Sequence, residues 1–158
     1  MNEPPWLQPN QRRLVHFIVS SHTQAFRRPL LSCQSINDSN RLESQELFAL
    51  GIPVMAHDER NDPHLIYANA AALFLWRRKW AEMIGMPSRL TAPINERNQR
   101  TTALNQALQQ NSITGYRGIR IDNEGRQFLI NDARIWTLWD DQGDPIGQAA
   151  TFNSWDWI

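Results

Sequence analysis

The stretch that decides the fold is residues 115–155, GYRGIRIDNEGRQFLINDARIWTLWDDQGDPIGQAATFNSW. Its apolar residues recur mostly at alternate positions, which is the period of a β-strand rather than of a helix. The connections DNEG and DDQGD contain Gly125 and Gly143, and glycine readily adopts the positive φ that tight hairpin turns require. The stretch therefore predicts three consecutive antiparallel strands, over about 116–122, 127–139 and 146–155.

The middle strand of the three, FLINDARIWTLW, has large apolar side chains at both odd and even positions. Because successive side chains of a strand point to opposite faces, this pattern indicates a sheet that is covered on both faces. A bulge near residues 132–134 would shift the alternation without changing that conclusion. We expect the middle helices to cover one face, and either the amino-terminal helix or a second copy of the protein to cover the other.

The segment before these strands combines strand and helix patterns. Residues 52–56 and 64–68 are short apolar runs joined by the charged turn DERNDP, and they predict a strand pair. Residues 69–84 are typical of two short helices, for which Asn69 is a suitable N-cap. Residues 95–110 carry apolar side chains on one side only, which predicts a surface helix.

The amino-terminal part is helical in pattern. Three prolines in residues 1–9 predict a disordered or extended leader. An amphipathic helix is predicted over about 10–28, and a second, shorter helix ends at Gly51. We therefore divide the chain into this leader, a helical extension over 10–51 and a core over 52–158. Helices and strands come in groups rather than in alternation, so the fold class is α+β.

The composition narrows the compartment and the partners. Sixteen Lys and Arg balance sixteen Asp and Glu, so net charge gives no reason to expect direct binding of nucleic acid or of an anionic membrane. A single cysteine, Cys33, indicates a reducing compartment, and we expect a cytoplasmic protein. No apolar run is long enough for a membrane span, and the start MNEPPW lacks the pattern of a signal peptide. The seven tryptophans are expected mainly in the core, with the last two at a terminal edge.

Four motifs in series resemble one known family. They are LIYANAAALFLW at 65–76, PSRLTA at 87–92, GYRGIRIDNEGRQFLINDARIW at 115–136 and GQAATF at 147–152, followed by Trp155. This series is similar to the MEKHLA domain, a PAS-like domain found in stand-alone bacterial proteins and at the carboxyl end of plant class III homeodomain-leucine zipper transcription factors. The resemblance covers about residues 14–155, and we expect the stand-alone bacterial type.

The resemblance implies a PAS-like five-stranded antiparallel sheet with short helices over one face and an amino-terminal helical extension. It implies sensing and regulation rather than an enzymatic reaction. The chain has no homeodomain or leucine-zipper segment, so a direct transcription-factor role does not carry over.

Three cofactor classes are disfavoured, and the cofactor stays unknown. Flavin PAS domains that form a light-induced adduct need a cysteine in the middle of the domain, whereas Cys33 precedes the first strand. Haem PAS domains usually carry a histidine on the helix before the third strand, and residues 95–110 contain none. His57 and His64 could face one another across the first hairpin, but their spacing does not make a metal site.

A PAS-like cavity would lie between the sheet and the short helices, and six residues are candidates to line it. Gln148 would project an amide into an apolar face, or would pair with a neighbouring backbone group. Asn69 would reach the mouth of the cavity or only cap a helix. Arg89 would clamp a carboxylate or phosphate, or form an ion pair within the chain. The aromatic candidates, which would otherwise be core residues, are Trp76, Trp136 and Phe152.

These observations favour a sensory or regulatory module that binds a small molecule and signals by contact with another protein of unknown identity. The alternative is a ligand-free dimerisation or protein-interaction module, and a small enzyme is third because no catalytic motif is present. We expect a homodimer formed through the amino-terminal helix and the outer sheet face.

Overall fold

A computed structural model describes residues 2–32 and 40–158. In this part of the chain, helices pack on both faces of one β-sheet. Within that part of the chain, no helix is long and apolar enough to cross a bilayer. Short 3-10 turns occur at Pro5–Leu7, Ser88–Thr91 and Ile94–Glu96. The α-helices are α1 (Pro9–Phe26), α2 (Asn40–Ala49), α3 (Ala70–Trp76), α4 (Trp80–Met83) and α5 (Arg97–Gln110).

The sheet is antiparallel and has the order β2-β1-β5-β4-β3, with β6 also paired to β4. Its strands are β1 (Val54–His57), β2 (Leu65–Ala68), β3 (Ser112–Ile121), β4 (Gln127–Trp139), β5 (Pro145–Thr151) and β6 (Ser154–Trp157). The α+β fold class and the antiparallel sheet with helices are therefore confirmed. The predicted strand over 146–155 is two strands, because the ladder to β4 is interrupted between Thr151 and Ser154.

The interruption lies at Asp132, whose backbone has a φ of 50°. On either side of it, Ile130 and Ala133 both belong to the cluster packed under α3 and α4, although they are three residues apart. The expected shift in the alternation of side chains near residues 132–134 is therefore present. Beyond it, Trp136 and Leu138 belong to the cluster on the opposite face.

That opposite face is covered by α1 of the same chain. Val15 and Ile18 of α1 are fully buried in one cluster with Trp136. The indole Nε1 of Trp136 donates to the carbonyl oxygen of Ile18 at 3.2 Å, and the His22 ring lies edge-on at 4.9 Å. The amino-terminal helix, rather than a second copy, thus packs on the outer face in this chain.

The expected disordered leader differs from what the structure shows for its described residues. Leu7 is buried, and Trp6 stacks on Phe48 of α2 with ring centroids 4.1 Å apart. Proline suits the first turn of a helix because its φ is already helical, so the same residues that suggested disorder begin Pro5–Leu7 and α1.

Candidate functional site

A cavity of about 60 Å³ lies between the sheet and α5, on the face away from α1. A space of that size holds roughly four to six water-sized groups. Its walls are mostly apolar, with a few polar side chains, as is usual for small-molecule sites. The apolar lining includes Met55, Leu65, Trp76, Leu104, Ile130, Ala133, Ile135, Ala150 and Phe152.

A chain of buried hydrogen bonds crosses one wall of this cavity. Arg100 donates through Nη2 to Oγ of Ser88 at 2.9 Å, and that oxygen lies 2.8 Å from Nδ1 of His57. Nε2 of His57 lies 3.1 Å from Oε1 of Gln148. The amide nitrogen of Gln148 donates to the carbonyl oxygen of Leu104 at 3.0 Å. The chain thereby connects α5, the Ser88–Thr91 turn, β1 and β5.

The direction of these bonds fixes the protonation of His57. The Leu104 carbonyl can only accept, so Gln148 turns its NH₂ group to it and its oxygen to His57. Nε2 of His57 must then carry the proton, and Nδ1 accepts from the Ser88 hydroxyl. Burial first, and the Arg100 charge second, lower the pKa of His57 to about 4. The imidazole is therefore neutral at physiological pH.

A second buried cation lines the cavity from β3. Arg120 donates through Nη2 to the hydroxyl of Tyr116 at 3.2 Å and through Nη1 to the carbonyl oxygen of Ile119 at 2.9 Å. Between them on the strand is Gly118, where a Cβ would come within 2.9 Å of Nη1 of Arg120. The glycine therefore leaves the room that the Arg120 and Tyr116 side chains occupy.

Three of the six sequence candidates line the cavity. Gln148 is among its lining residues, and both ends of its amide are bonded within the chain, one of them to a backbone carbonyl oxygen. Trp76 and Phe152 form an aromatic wall, with ring centroids 6.1 Å apart in an edge-on arrangement. The Trp76 indole also donates to the carbonyl oxygen of Thr91 at 3.3 Å, which ties this wall to the turn that carries Ser88.

The other three candidates lie elsewhere, and each has a structural role. Asn69 caps α3 and is fully buried away from the cavity. Arg89 is half-exposed and forms an ion pair with Asp62 at 3.2 Å. Trp136 packs under α1 on the other face, because the slip at Asp132 reverses the side to which the second half of β4 points its side chains.

The sequence patterns do not point to Ser88, Arg100 or Arg120 as site residues, and they indicate His57 only as a possible metal ligand. The available signal for Arg120 was its alternation with Tyr116 and Gly118, which places the three side-chain positions on one face of β3. Gly118 and Arg120 are the buried residues of that strand. Ser88 and Arg100 lie far from His57 in sequence, and no local pattern connects them.

The site does not fit the cofactors weighed from the sequence. A tricyclic flavin ring is far larger than a cavity of about 60 Å³, and Cys33 lies outside the described residues. For haem, α5 offers no histidine among residues 97–110. Within residues 2–32 and 40–158, no group of three or more His, Cys, Asp or Glu is placed to hold a metal ion. The imidazole of His57 is turned to Ser88 and Gln148, and His64 bonds instead to the carbonyl oxygen of Asp62.

Comparison with known proteins places this geometry in a wider group. A PAS domain from Colwellia psychrerythraea superposes with a TM-score of 0.65 at 14% identity, covering 74% of this chain and 97% of that one. A light-oxygen-voltage domain described with a flavin analogue gives 0.58 at 15% identity, covering 73% of this chain and 83% of that one. An RNA-binding light-oxygen-voltage receptor gives 0.64 at 15% identity, covering 77% of this chain and 35% of that one.

These likenesses show the fold, which is of the PAS and light-oxygen-voltage type. No curated protein matches the chain in sequence. The model of the MEKHLA domain family matches residues 12–157, which runs from the first turn of α1 to the end of β6. A PAS-like fold and this family together support a sensory or regulatory module in general terms. The chain belongs to the MEKHLA domain family.

Proposed function

We propose that this protein is a cytoplasmic sensory module that binds a small molecule in the cavity between its sheet and α5, and that it signals by contact with another protein. The observation that carries the proposal is the cavity itself, which combines apolar walls with a directed chain of buried polar side chains. Well-packed cores contain few voids larger than a water molecule, so a space of about 60 Å³ with polar groups at its wall suits a ligand.

The same chain of hydrogen bonds offers a way for occupancy to change shape. Arg100 and Leu104 lie one turn apart on α5, and each bonds to a side chain outside that helix. A ligand that competes for either group would move α5 relative to β1 and β5. Leu108, on the same helix, is about half exposed and would carry that movement to the surface.

A ligand-free interaction module is the second candidate, and one surface favours it. A groove beside α3 is lined by Phe74, Leu73, Trp155 and Trp157, and the Phe74 side chain is 86% exposed. Exposed aromatic side chains are common at protein interfaces. A homodimer through the outer sheet face, by contrast, would require α1 to leave Trp136 or to be exchanged between the two copies, which sedimentation velocity at several concentrations would reveal.

Native mass spectrometry of protein purified from its own host tests the leading proposal. We expect a reproducible non-covalent adduct on the wild-type chain. Ala150→Leu adds bulk to the cavity wall and should remove the adduct. Ala81→Leu adds the same bulk at an exposed position of α4 and should retain it.

Two results would contradict the proposal. One is a wild-type chain without an adduct together with a stable dimer, which supports the interaction module. The other is an adduct that Ala150→Leu and Ala81→Leu retain equally, which places the bound molecule outside the cavity.

A further inference from the structure

Two arginine side chains, Arg100 of α5 and Arg120 of β3, are buried against the same cavity. They are 8% and 7% exposed, respectively, and both are among the residues that line it. Arginine is almost never buried to this extent unless it is paired. The reason is that a charge removed from water loses its hydration, and only a counter-charge or a full set of hydrogen bonds offsets that loss.

The described chain supplies neither arginine with a carboxylate. Among residues 2–32 and 40–158, no ion pair involves the side chain of Arg100 or of Arg120. Asp62 is the carboxylate whose field reaches Arg100, and it is half-exposed and already paired with Arg89 at 3.2 Å. Burial and then the neighbouring Arg120 lower the pKa of Arg100 to about 9, so the guanidinium is still charged at neutral pH.

Hydrogen bonds to the protein use only part of what these groups can donate. A guanidinium has five N–H donors in a planar fork. Arg100 donates to the Ser88 hydroxyl, and Arg120 donates to the Ile119 carbonyl and the Tyr116 hydroxyl. These partners are neutral, so both positive charges are left without an anion inside a mostly apolar space.

We propose that the cavity binds a small carboxylate, with its charged group at Arg100 and Arg120 and its apolar part against Trp76 and Phe152. This inference rests on the proposed ligand-binding function and names the chemical class of the ligand. A carboxylate matches the planar donor fork of arginine, and the aromatic wall suits a hydrocarbon chain. A free inorganic anion would use the guanidinium groups but not the apolar walls.

The size of the cavity limits the length of that chain. The volume of about 60 Å³ corresponds to roughly four to six non-hydrogen atoms. Butanoate, with about six such atoms, is at the upper end of this range. We therefore choose butanoate as the probe, butanamide as the neutral molecule of nearly the same shape, and inorganic phosphate as the anion without an apolar part.

Isothermal titration calorimetry of the full chain at neutral pH and constant ionic strength tests the inference. We expect butanoate to bind at least tenfold more tightly than butanamide, because only butanoate neutralises the buried charges. Arg100→Met and Arg120→Met should each weaken butanoate binding about tenfold or more and leave butanamide binding unchanged. The control is Arg117→Met, which removes an exposed arginine of β3 and should change neither.

A stability measurement separates this role from a structural one. Methionine has similar bulk to the arginine stem and carries no charge. Replacing an unpaired buried charge with an apolar group is often neutral or stabilising, so the melting temperature of Arg100→Met without ligand should equal or exceed that of the wild type. A large drop would show that Arg100 is needed for folding and would count against a ligand-binding role.

The outcomes distinguish this inference from the proposed function. Equal binding of butanoate and butanamide overturns the anion preference but leaves a ligand-binding cavity. If phosphate binds through Arg100 and Arg120 and butanoate does not bind, the proposal that the ligand is a carboxylate is wrong. A native-mass adduct without butanoate binding also rejects the inference alone, whereas the absence of both rejects the inference and the proposed function together. The wild-type comparison of the probes needs no variant, so it stands even where a substitution prevents folding.

Discussion

The hydroxyl oxygen of Ser88 lies 2.8 Å from Nδ1 of His57. Both side chains are buried, and the same oxygen accepts the Arg100 bond at 2.9 Å. The Ser88 hydroxyl thus donates a hydrogen bond to the neutral imidazole and accepts one from the guanidinium. Because a hydroxyl is the smallest side-chain group that can do both, the 3-10 turn at Ser88–Thr91 positions the polar wall of the cavity.

Replacing Ser88 with alanine should lower the free energy of unfolding by about 1–3 kcal/mol, because two buried partners lose a hydrogen bond at once. Urea-induced unfolding measures this loss. Ser154→Ala, at an exposed position of β6, is the control and should change stability by less than about 0.5 kcal/mol. Equal stability of the two variants would show that Ser88 is not a structural member of the network.

Stability should fall as the pH is lowered from about 6.5 towards 4. The pKa of His57 is lowered from 6.5 to about 4, so in this interval the unfolded chain binds a proton that the folded chain does not. Stability from this group is complete above pH 6.5 and is lost as the pH falls, by up to roughly 3 kcal/mol. His22 acts in the same direction, since burial and then Arg134 lower its pKa to about 4.

Urea unfolding at a series of pH values measures this dependence. His57→Gln should have a shallower fall than the wild type, because it removes one of the two histidines whose pKa is lowered to about 4 and keeps an amide in place. Asn98→Gln, at an exposed position of α5 that carries no titratable group, should keep the wild-type slope. Parallel curves for wild type and His57→Gln would contradict a neutral, buried His57.

Replacing Asn69 with alanine should lower the free energy of unfolding by about 2–4 kcal/mol, because its buried amide makes four hydrogen bonds. Its oxygen accepts from the backbone N–H of Ala72 at 3.1 Å and of Val54 at 2.9 Å. Its nitrogen donates to the carbonyl oxygens of Leu47 at 3.2 Å and Ile52 at 2.9 Å. A residue proposed from sequence as a cavity group is thus a joint between α2, β1 and α3.

Thermal and urea unfolding of Asn69→Ala and Asn98→Ala check this prediction. Asn98 is exposed on α5 and should tolerate alanine within about 0.5 kcal/mol. Because Asn69 is outside the cavity, the affinity for any cavity ligand should change little in the fraction of Asn69→Ala that is folded. A selective loss of ligand binding at full stability would return Asn69 to the binding site.

The sequence patterns predict the sheet and helices well because each depends on local periodicity and on turn residues. The turns at Gly125 and Gly143 bound β4, and Asn69 caps α3 as its position before an apolar run predicts. The bulge at Asp132 was anticipated, but which half of β4 faced which helix was not, so Trp136 was assigned to the wrong face. Local pattern fixes that a side chain alternates, and tertiary packing decides the side.

Most polar residues of the cavity wall could not be predicted from the sequence, because they come together only through tertiary packing. His57, Ser88, Arg100 and Gln148 come from four elements, and each looks ordinary in its own segment. Arg120 lay between two isoleucines on a strand, where solvated arginine is the usual outcome. Only the fold shows that α5 covers this side of β3 and leaves the guanidinium against a cavity.

Gly147 holds β5 close to β1 where His57 and Gln148 meet, and alanine there should destabilise the protein. A Cβ at Gly147 would collide with the backbone carbonyl oxygen of His57 and come within 3.3 Å of the Cα of Asp58. Backbone atoms cannot move aside by changing rotamer, so the strands must separate, at a cost of about 2 kcal/mol or more. The separation would also lengthen the hydrogen bond between His57 and Gln148, which are paired across β1 and β5.

Urea unfolding measures the loss of stability in Gly147→Ala, and the ¹⁵N shifts of the His57 imidazole report whether Nε2 stays protonated. Gly51→Ala is the control, because a Cβ there meets nothing within 4 Å, and wild-type stability in both variants would show that β1 and β5 are not held at this distance.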